Sequence, residues 1–319
     1  MRRGISRDGH QLYPAFPYIH YASITEREIT ATYAYLMSRE PVYSVVPNNQ
    51  LMFPLGFRPL ISFWNTIYLD KERTHSDPTQ SAEWNRGRAL VDGLGHCSAC
   101  HTPLNLIGGE RSGRALDGGV IDGWDAYPLN KLLHGTSPWT QKELVTYLRT
   151  GLSSEHGAAA GPMFAVTQEL SMVPEEDVRA IAKYIMAIQR PPPSAAILVS
   201  KPDAGDIASV ARGATLFAGA CAACHDAASP MQMIAHRPSL ASSSAVSANS
   251  PRNTIQMILE GMPWHAPKAG PYMPRFADQL TNTQIADLAN YLRATQTTRP
   301  PWSEVTEIVA EVRKENGAR

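Results

Sequence analysis

The segment Gly95–Thr102 reads GHCSACHT, and its pattern of two cysteines with a histidine directly after the second returns at Cys221, Cys224 and His225. All four cysteines of the chain lie in these two copies, so one explanation must serve twice. Disulfide staples suit small, cysteine-dense secreted domains, and a bridge inside either motif would close only a tiny loop. Structural zinc wants its ligands in compact spacing, whereas these two pairs stand far apart in the chain. A thioredoxin-type redox pair belongs near a βαβ pattern, and no strand-rich context surrounds either copy. The histidine decides among these readings. In C-x-x-C-H the two thiols bond covalently to the vinyl groups of a haem and the next imidazole reaches the iron. Two covalently bound haem c groups are therefore expected, attached through Cys97 and Cys100 and through Cys221 and Cys224, with His101 and His225 as proximal iron ligands.

The flanks repeat as well. RGRALVDG (Arg86–Gly93) precedes the first motif and RGATLFAG (Arg212–Gly219) the second. Each reads as an amphipathic helix with an apolar pair and a glycine that permits close helix approach. After each motif comes a stretch rich in Gly, Pro and Ser, then a capped helix with apolar periodicity. Pro174-Glu175-Glu176-Asp177 opens one, which continues through Val178, Ile181, Ala182, Tyr184 and Ile185; Thr281 or Thr283 caps the other, which carries Ile285, Leu288, Ala289, Tyr291 and Leu292. Between these, Thr140-x-x-Glu143 forms a capping box and Ser250-Pro251 a helix start. The repeat predicts an all-α chain built of small helical haem domains.

Composition narrows the partners. Lys plus Arg equals Asp plus Glu at 29 each, so no strong field points to nucleic acid or to an anionic membrane surface, and no nucleic-acid partner is expected. The most apolar stretch, Leu51–Leu69, is broken by Pro54, Arg58, Pro59 and Asn65, which is no membrane span. The N-terminus, MRRGISRDGHQLYPAF, has the charge of a signal peptide's first part but neither apolar core nor cleavage site.

The sixth iron position separates an electron carrier from a catalyst. Methionine is the expected partner in carriers, its thioether favouring ferrous iron and raising the potential. In the second unit Met273, in PYMPRF just before the closing helix, is the first choice and Met262 the runner-up. In the first unit Met163, in GPMF, holds the corresponding place, with Met172 the weaker candidate. Filling core gaps is the competing role for any methionine. Trp124, Trp139 and Trp264 read as haem walls or as ordinary core. Arg111, Arg114, Arg237 and Arg275 are propionate candidates among which the sequence does not choose. His96 reads as an exposed loop residue or a tuner of the haem's surroundings, and His134, His156, His236 and His265 read as surface residues.

The flank NRGRALVDGLGHCSACHTPLN, the AAGPM loop, the YMPRFADQL segment and the closing helices resemble the multihaem cytochrome c subunit of bacterial periplasmic dehydrogenases. Those subunits serve alcohol, aldehyde and gluconate dehydrogenases and the nicotinate- or isoquinoline-type molybdenum hydroxylases. The resemblance implies tandem class I cytochrome c-type domains: complete ones at 83–190 and 206–298, a remnant of a first domain at 1–47 without a CxxCH, a linker or strap at 48–82, a Pro-rich linker at 191–205 and an amphipathic tail at 299–319. It implies an electron conduit and not an enzyme, with Met163 and Met273 as distal iron ligands. The implied partners are a molybdenum-, PQQ- or flavin-dependent dehydrogenase subunit and a quinone or terminal oxidase, at the periplasmic face of the inner membrane, with peripheral membrane association through those partners. The alternative from another class is a dihaem cytochrome c peroxidase-like enzyme with one open iron.

The chain departs from that family at its start. Relatives carry methionine in a YPAMPY loop as the distal ligand of a first haem, and here Phe16 stands in that place and cannot ligate iron. Either the chain is a fragment of a trihaem protein, which the missing export signal favours, or its N-terminal segment packs without haem. MFPLGFRPLISFW in the linker reads as a strap over a haem domain, with a docking surface for the dehydrogenase as the sharper reading. In the tail Trp302, Val305, Ile308, Val309 and Val312 repeat at helical spacing, suiting docking on a domain or partner.

Overall fold

The computed structural model describes residues 2–45, 51, 53–54, 56–69, 76–134, 137–191, 204–230, 238–262 and 272–317, with only the backbone at 204–206. In chain order the helices are α1 (Tyr18–Tyr21), α2 (Glu26–Met37), α3 (Pro59–Tyr68), α4 (Ala82–Ala89), α5 (Ser98–His101), α6 (Gln141–Thr150) and α7 (Pro162–Leu170). There follow α8 (Glu175–Ala187), α9 (Ala204–Ala220), α10 (Ala222–His225), α11 (Ser244–Ser247), α12 (Arg252–Glu260), α13 (Asn282–Gln296) and α14 (Val305–Gly317). The molecule is helix-rich, but two short two-stranded ribbons, Gly119–Ile121 with Trp124–Ala126 and Leu152–Ser153 with Gly157–Ala158, interrupt the all-α expectation. Helix starts follow the local chemistry. Thr25, Thr140 and Thr281 each accept from the third residue on and receive that residue's Glu or Gln in return, and Thr281, not Thr283, makes the cap of α13.

Two compact units emerge. One comprises Met1–Gly119, Pro128–Asn130 and Glu175–Ile188; the other comprises Val120–Tyr127, Lys131–Pro174 and Gln189–Arg319. In the first unit α4 crosses α8 at Gly87. A Cβ there would stand 1.9 Å from the Ala180 carbonyl oxygen, so only glycine lets the two backbones come this close. Beside the crossing Arg86 grips Asp177 with two bonds of 2.7 and 2.8 Å, and Trp84 meets Tyr184 edge-on. Asp177 is held below the usual carboxylate range by that guanidinium.

The N-terminal segment belongs to this unit's core. Tyr18, His20 and Ile24 are buried, and Ile24 and Ser23 lie against Gly93. In the linker, Ile61 and Trp64 of α3 face inward, the Tyr18 hydroxyl donates to Asn65 Oδ1 at 2.6 Å and Trp64 Nε1 to the Ile107 carbonyl at 2.9 Å. Leu60, Phe63 and Ile67 on the other side of α3 are exposed.

The second unit repeats the crossing. Its α9 meets α13 at Gly213, where a Cβ would stand 2.1 Å from the Asp287 carbonyl oxygen, and Arg212 holds the Asp287 carboxylate with two bonds of 2.8 Å. Around it a core of Phe217, Ile255, Leu259, Ile285 and Leu288 is closed by Val305, Val309 and Val312 of α14, so the apolar stripe of the tail covers its own unit. Arg293 is buried beneath the tail's entry, donating to the carbonyls of Val246, Ala248 and Pro300 at 2.7–2.9 Å and lying over the Trp302 ring. The unit also includes part of the first repeat. Asn253 of α12 exchanges two 2.8 Å bonds with the backbone of Asp125, and Gln256 donates to the Gly123 carbonyl.

Candidate functional site

Each CxxCH motif forms one helical turn at the end of the helix that carries the crossing glycine. In the second unit α9 runs into Cys221, whose N–H still donates to Phe217, and the His225 N–H closes the next turn on the Cys221 carbonyl at 2.9 Å. In the first unit Cys97 stands ten positions after the crossing Gly87, against eight from Gly213 to Cys221 (97 − 87 and 221 − 213). The two extra residues are absorbed by a π-helical turn, Leu90–Leu94, closed by the Gly95 N–H on the Leu90 carbonyl at 2.7 Å, and by His96 in a positive-φ conformation. The motif then proceeds as in the other unit, the His101 N–H bonding the Cys97 carbonyl at 3.0 Å. The His101 carbonyl is pinned in turn by the Gly118 N–H at 2.8 Å.

These residues fit a covalently attached haem. All four cysteines are half-buried, two per turn, and none is joined in a disulfide. Burial pushes the Cys97 thiol up to about 12, with Asp92 and Cys100 adding to the effect, and raises Cys221 as well. At Cys97 and Cys221 this disfavours zinc ligation and disulfide exchange, both of which need the thiolate. Among the described residues no group of three His, Cys, Asp or Glu side chains could hold a metal ion by itself.

The methionine candidates are now placed. Met262 and Met273 face each other as an antiparallel bridge, each N–H donating to the other's carbonyl at 2.8 and 3.1 Å, so both thioethers leave the same face of the ribbon. Gly261 makes this closure: its φ is +66°, and a Cβ would stand 2.3 Å from the Met273 carbonyl oxygen. Met262 is buried and Met273 half-buried. Met163 is half-buried at the second position of α7, after Gly161, where a Cβ would stand 2.4 Å from the Trp124 ring. Met172 is 66% exposed.

Several surface expectations give way. His156 is buried and stacks on Trp139 with centroids 3.7 Å apart and planes 9° apart, because its loop folds back between the Leu152–Ser153 and Gly157–Ala158 ribbon. Its Nε2 has no hydrogen-bond partner among the described residues. His96 is half-buried near the rings of His20 and Tyr21. His134 Nε2 lies 2.9 Å from the Arg190 carbonyl oxygen. Of the propionate candidates, Arg111 bonds the Leu104 carbonyl, Arg114 pairs with Asp117 and Arg275 approaches Asp278. Trp264, His265, His236 and Arg237 lie outside the described residues. Phe16 packs edge-on against Tyr21. The sequence reading missed Glu110, which the Ser98 hydroxyl and the His20 ring both reach, since no motif marks it.

A family model described as cytochrome c matches residues 210–296. The chain is 44% identical over its whole length to a subunit of the nicotinate dehydrogenase of Pseudomonas putida, of which it spans 27%. It is 31% identical to the fructose dehydrogenase cytochrome subunit of Gluconobacter japonicus, over 92% of this chain and 65% of that one. To the cytochrome c subunit of the quinone-dependent alcohol dehydrogenase of Gluconacetobacter polyoxogenes it is 30% identical, over 98% of this chain and 70% of that protein. The chain therefore belongs to the family of cytochrome c subunits of dehydrogenases.

Proposed function

We propose that the chain is a dihaem electron-transfer unit of a dehydrogenase complex, with haem-bearing cytochrome c domains at 83–190 and 206–298. The observation that carries this reading is the repetition, in each unit, of a glycine-crossed helix that runs into a CxxCH turn. When bound, haem c supplies a one-electron carrier whose iron cycles between ferrous and ferric. The chain's own residues do the rest. Cys97 and Cys100, and Cys221 and Cys224, anchor the rings, and His101 and His225 present an imidazole from turns whose backbones are hydrogen-bonded in place. Met163 and Met273 are the distal ligands. For Met273 the support is its ribbon, which is tied to the end of α12 by the Met262 pairing and by the Phe276 N–H on the Ile258 carbonyl at 3.0 Å. Electrons arrive from the catalytic subunit of a molybdenum-, PQQ- or flavin-dependent dehydrogenase and leave to a quinone or terminal oxidase. The setting is the periplasm, where covalent haem attachment takes place, with association at the inner membrane through partners; no described helix is long and apolar enough to cross a membrane.

The test is to express the chain with an export signal and a haem-attachment system, count haems by mass, reduce the protein and add carbon monoxide. Two haems and an unchanged visible spectrum are expected, because methionine closes both irons. A clear spectral shift for one haem would expose an open iron, remove at least one methionine assignment and favour the peroxidase-like enzyme.

A further inference from the structure

The two haem-attachment turns differ in what surrounds them. In the second, the variable positions are Ala222 and Ala223, whose side chains offer no polar group. In the first, Ser98 is buried and its hydroxyl donates to Glu110 Oε1 at 3.0 Å. The same carboxylate oxygen lies 3.3 Å from His20 Nε2, and His20 Nδ1 lies 3.5 Å from the Ser98 hydroxyl. His20 is 1% exposed and the Glu110 side chain 18%. A carboxylate, an imidazole and the hydroxyl of the CxxCH turn thus close a small, largely dry triangle inside one unit.

The parts of the triangle are held from outside it. His20 comes from α1, whose Tyr18 is buried and tied to Asn65 of α3. Glu110 is fixed by its bridge to Leu104, within a loop where Asn105 bonds the Tyr68 hydroxyl at 2.7 Å. Burying a carboxylate and an imidazole carries a desolvation cost that packed apolar side chains would avoid, so stability alone does not account for the pair.

We propose that His20 and Glu110 tune the first haem: they keep an ionisable pair one hydrogen bond from its attachment turn, and the N-terminal segment delivers His20 there. This rests on the dihaem reading. Both are positioning residues, acting on the iron through the field and through Ser98. Reduction adds an electron to the haem, and a carboxylate held close by in a poorly screened interior opposes that addition, while a cationic partner offsets it. With Glu110 ionised, removing the carboxylate raises the potential relative to removing the imidazole, whether His20 is neutral or protonated.

The experiment is a spectroelectrochemical titration of the haem-loaded full chain as wild type, Glu110→Gln, His20→Gln and Ser98→Ala, with haems counted by mass in each. Two one-electron waves are expected, of which only one responds. In Glu110→Gln that wave lies above its place in His20→Gln by tenfold or more in the equilibrium between the haems, which is about 59 mV for one electron. Ser98→Ala, which keeps both charged partners, falls between them and controls for lost packing. Equal waves in the two charge variants, or a parallel shift of both haems, would overturn the inference while leaving the dihaem reading intact. Fewer than two haems in the wild type would overturn the dihaem reading, and the tuning pair with it.

Discussion

The two helix crossings make a quantitative prediction within a single helix. Gly213 and Gly219 both lie on α9, and alanine at each changes the same atoms. At Gly213 the new Cβ would meet the Asp287 carbonyl oxygen at 2.1 Å and Tyr291 Cβ at 2.6 Å, and ordinary contact begins near 3.4 Å. The helices must part by about 1.3 Å (3.4 − 2.1), and the obstacle is backbone, which cannot swing aside as a side-chain tip would. Overpacking of this kind costs about 3 kcal/mol, from which a helix-propensity gain of about 1 kcal/mol is subtracted, leaving a net loss of about 2 kcal/mol. At Gly219 a Cβ would meet nothing within 4 Å among the described residues outside its own turn of helix, and that residue is exposed near the helix end. There only the propensity term acts, a gain of about 0.5 kcal/mol. At roughly 2–4 °C per kcal/mol for a unit of this size, Gly213→Ala should lower the melting temperature by about 4–8 °C and Gly219→Ala raise it by about 1–2 °C. Thermal unfolding followed by circular dichroism, on protein with equal haem content, reads both. Equal shifts, or a stabilised Gly213→Ala, would refute the claim that the crossing glycine is there for backbone proximity.

Other perturbations follow from the same contacts. Asp177 is depressed by Arg86, and a depressed carboxylate stabilises the fold above its unfolded-state pKa and loses that contribution as pH falls through its lower folded value. Arg86→Ala should therefore remove about 1 kcal/mol at neutral pH and nearly nothing well below pH ~3, as urea titrations at the two pH values would show. Thr281→Ala removes the reciprocal cap of α13 and should cost about 1 kcal/mol, with Thr283→Ala near neutral in the same urea assay. Arg293→Met would take the guanidinium donor from the carbonyls of Val246 and Pro300, while Ala248 keeps its bond from Trp302 Nε1, and should cost about 2 kcal/mol in chemical denaturation, whereas exposed Arg275→Met should change little.

Local chemistry was the legible part of this sequence. The CxxCH turns, the capping box at Thr140, the threonine cap of α13 and the crossing glycines each depend on residues a few positions apart or on one steric exclusion; Thr140 caps as the pattern has it, and of the two threonines open for α13 it is Thr281 that caps. What resisted reading was contact between distant segments. Nothing in the chain marks His20 as the histidine that reaches the Ser98 turn, 78 positions away, or pairs His156 with Trp139. The Met262–Met273 pairing is hidden for the same reason: two methionines that sequence ranks as rivals occupy opposite sides of one bridge. A comparison of spacing would have exposed one missed feature, since the first motif stands two residues further from its glycine than the second, and a helix can take in such a surplus only by widening a turn.

That surplus bears on how the two attachment turns come to differ. The widened turn sets Gly93 against Ser23 and Ile24, so the part of the helix displaced from regular geometry is the part the N-terminal segment covers. The same segment brings His20 to Ser98 a few residues on. In the second unit α9 runs into Cys221 without a widened turn, and its attachment turn carries alanines. Deleting Leu94 and Gly95 to match the second motif should therefore do more than shorten a loop. It should withdraw the surface on which α1 rests, exposing Tyr18 and His20 to solvent. Hydrogen exchange would then show faster labelling at residues 18–24 together with 97–101, while 221–225 stay unchanged. Faster labelling confined to the deletion site would mean that the N-terminal segment is held by α3 alone and that the π-turn has no part in seating it.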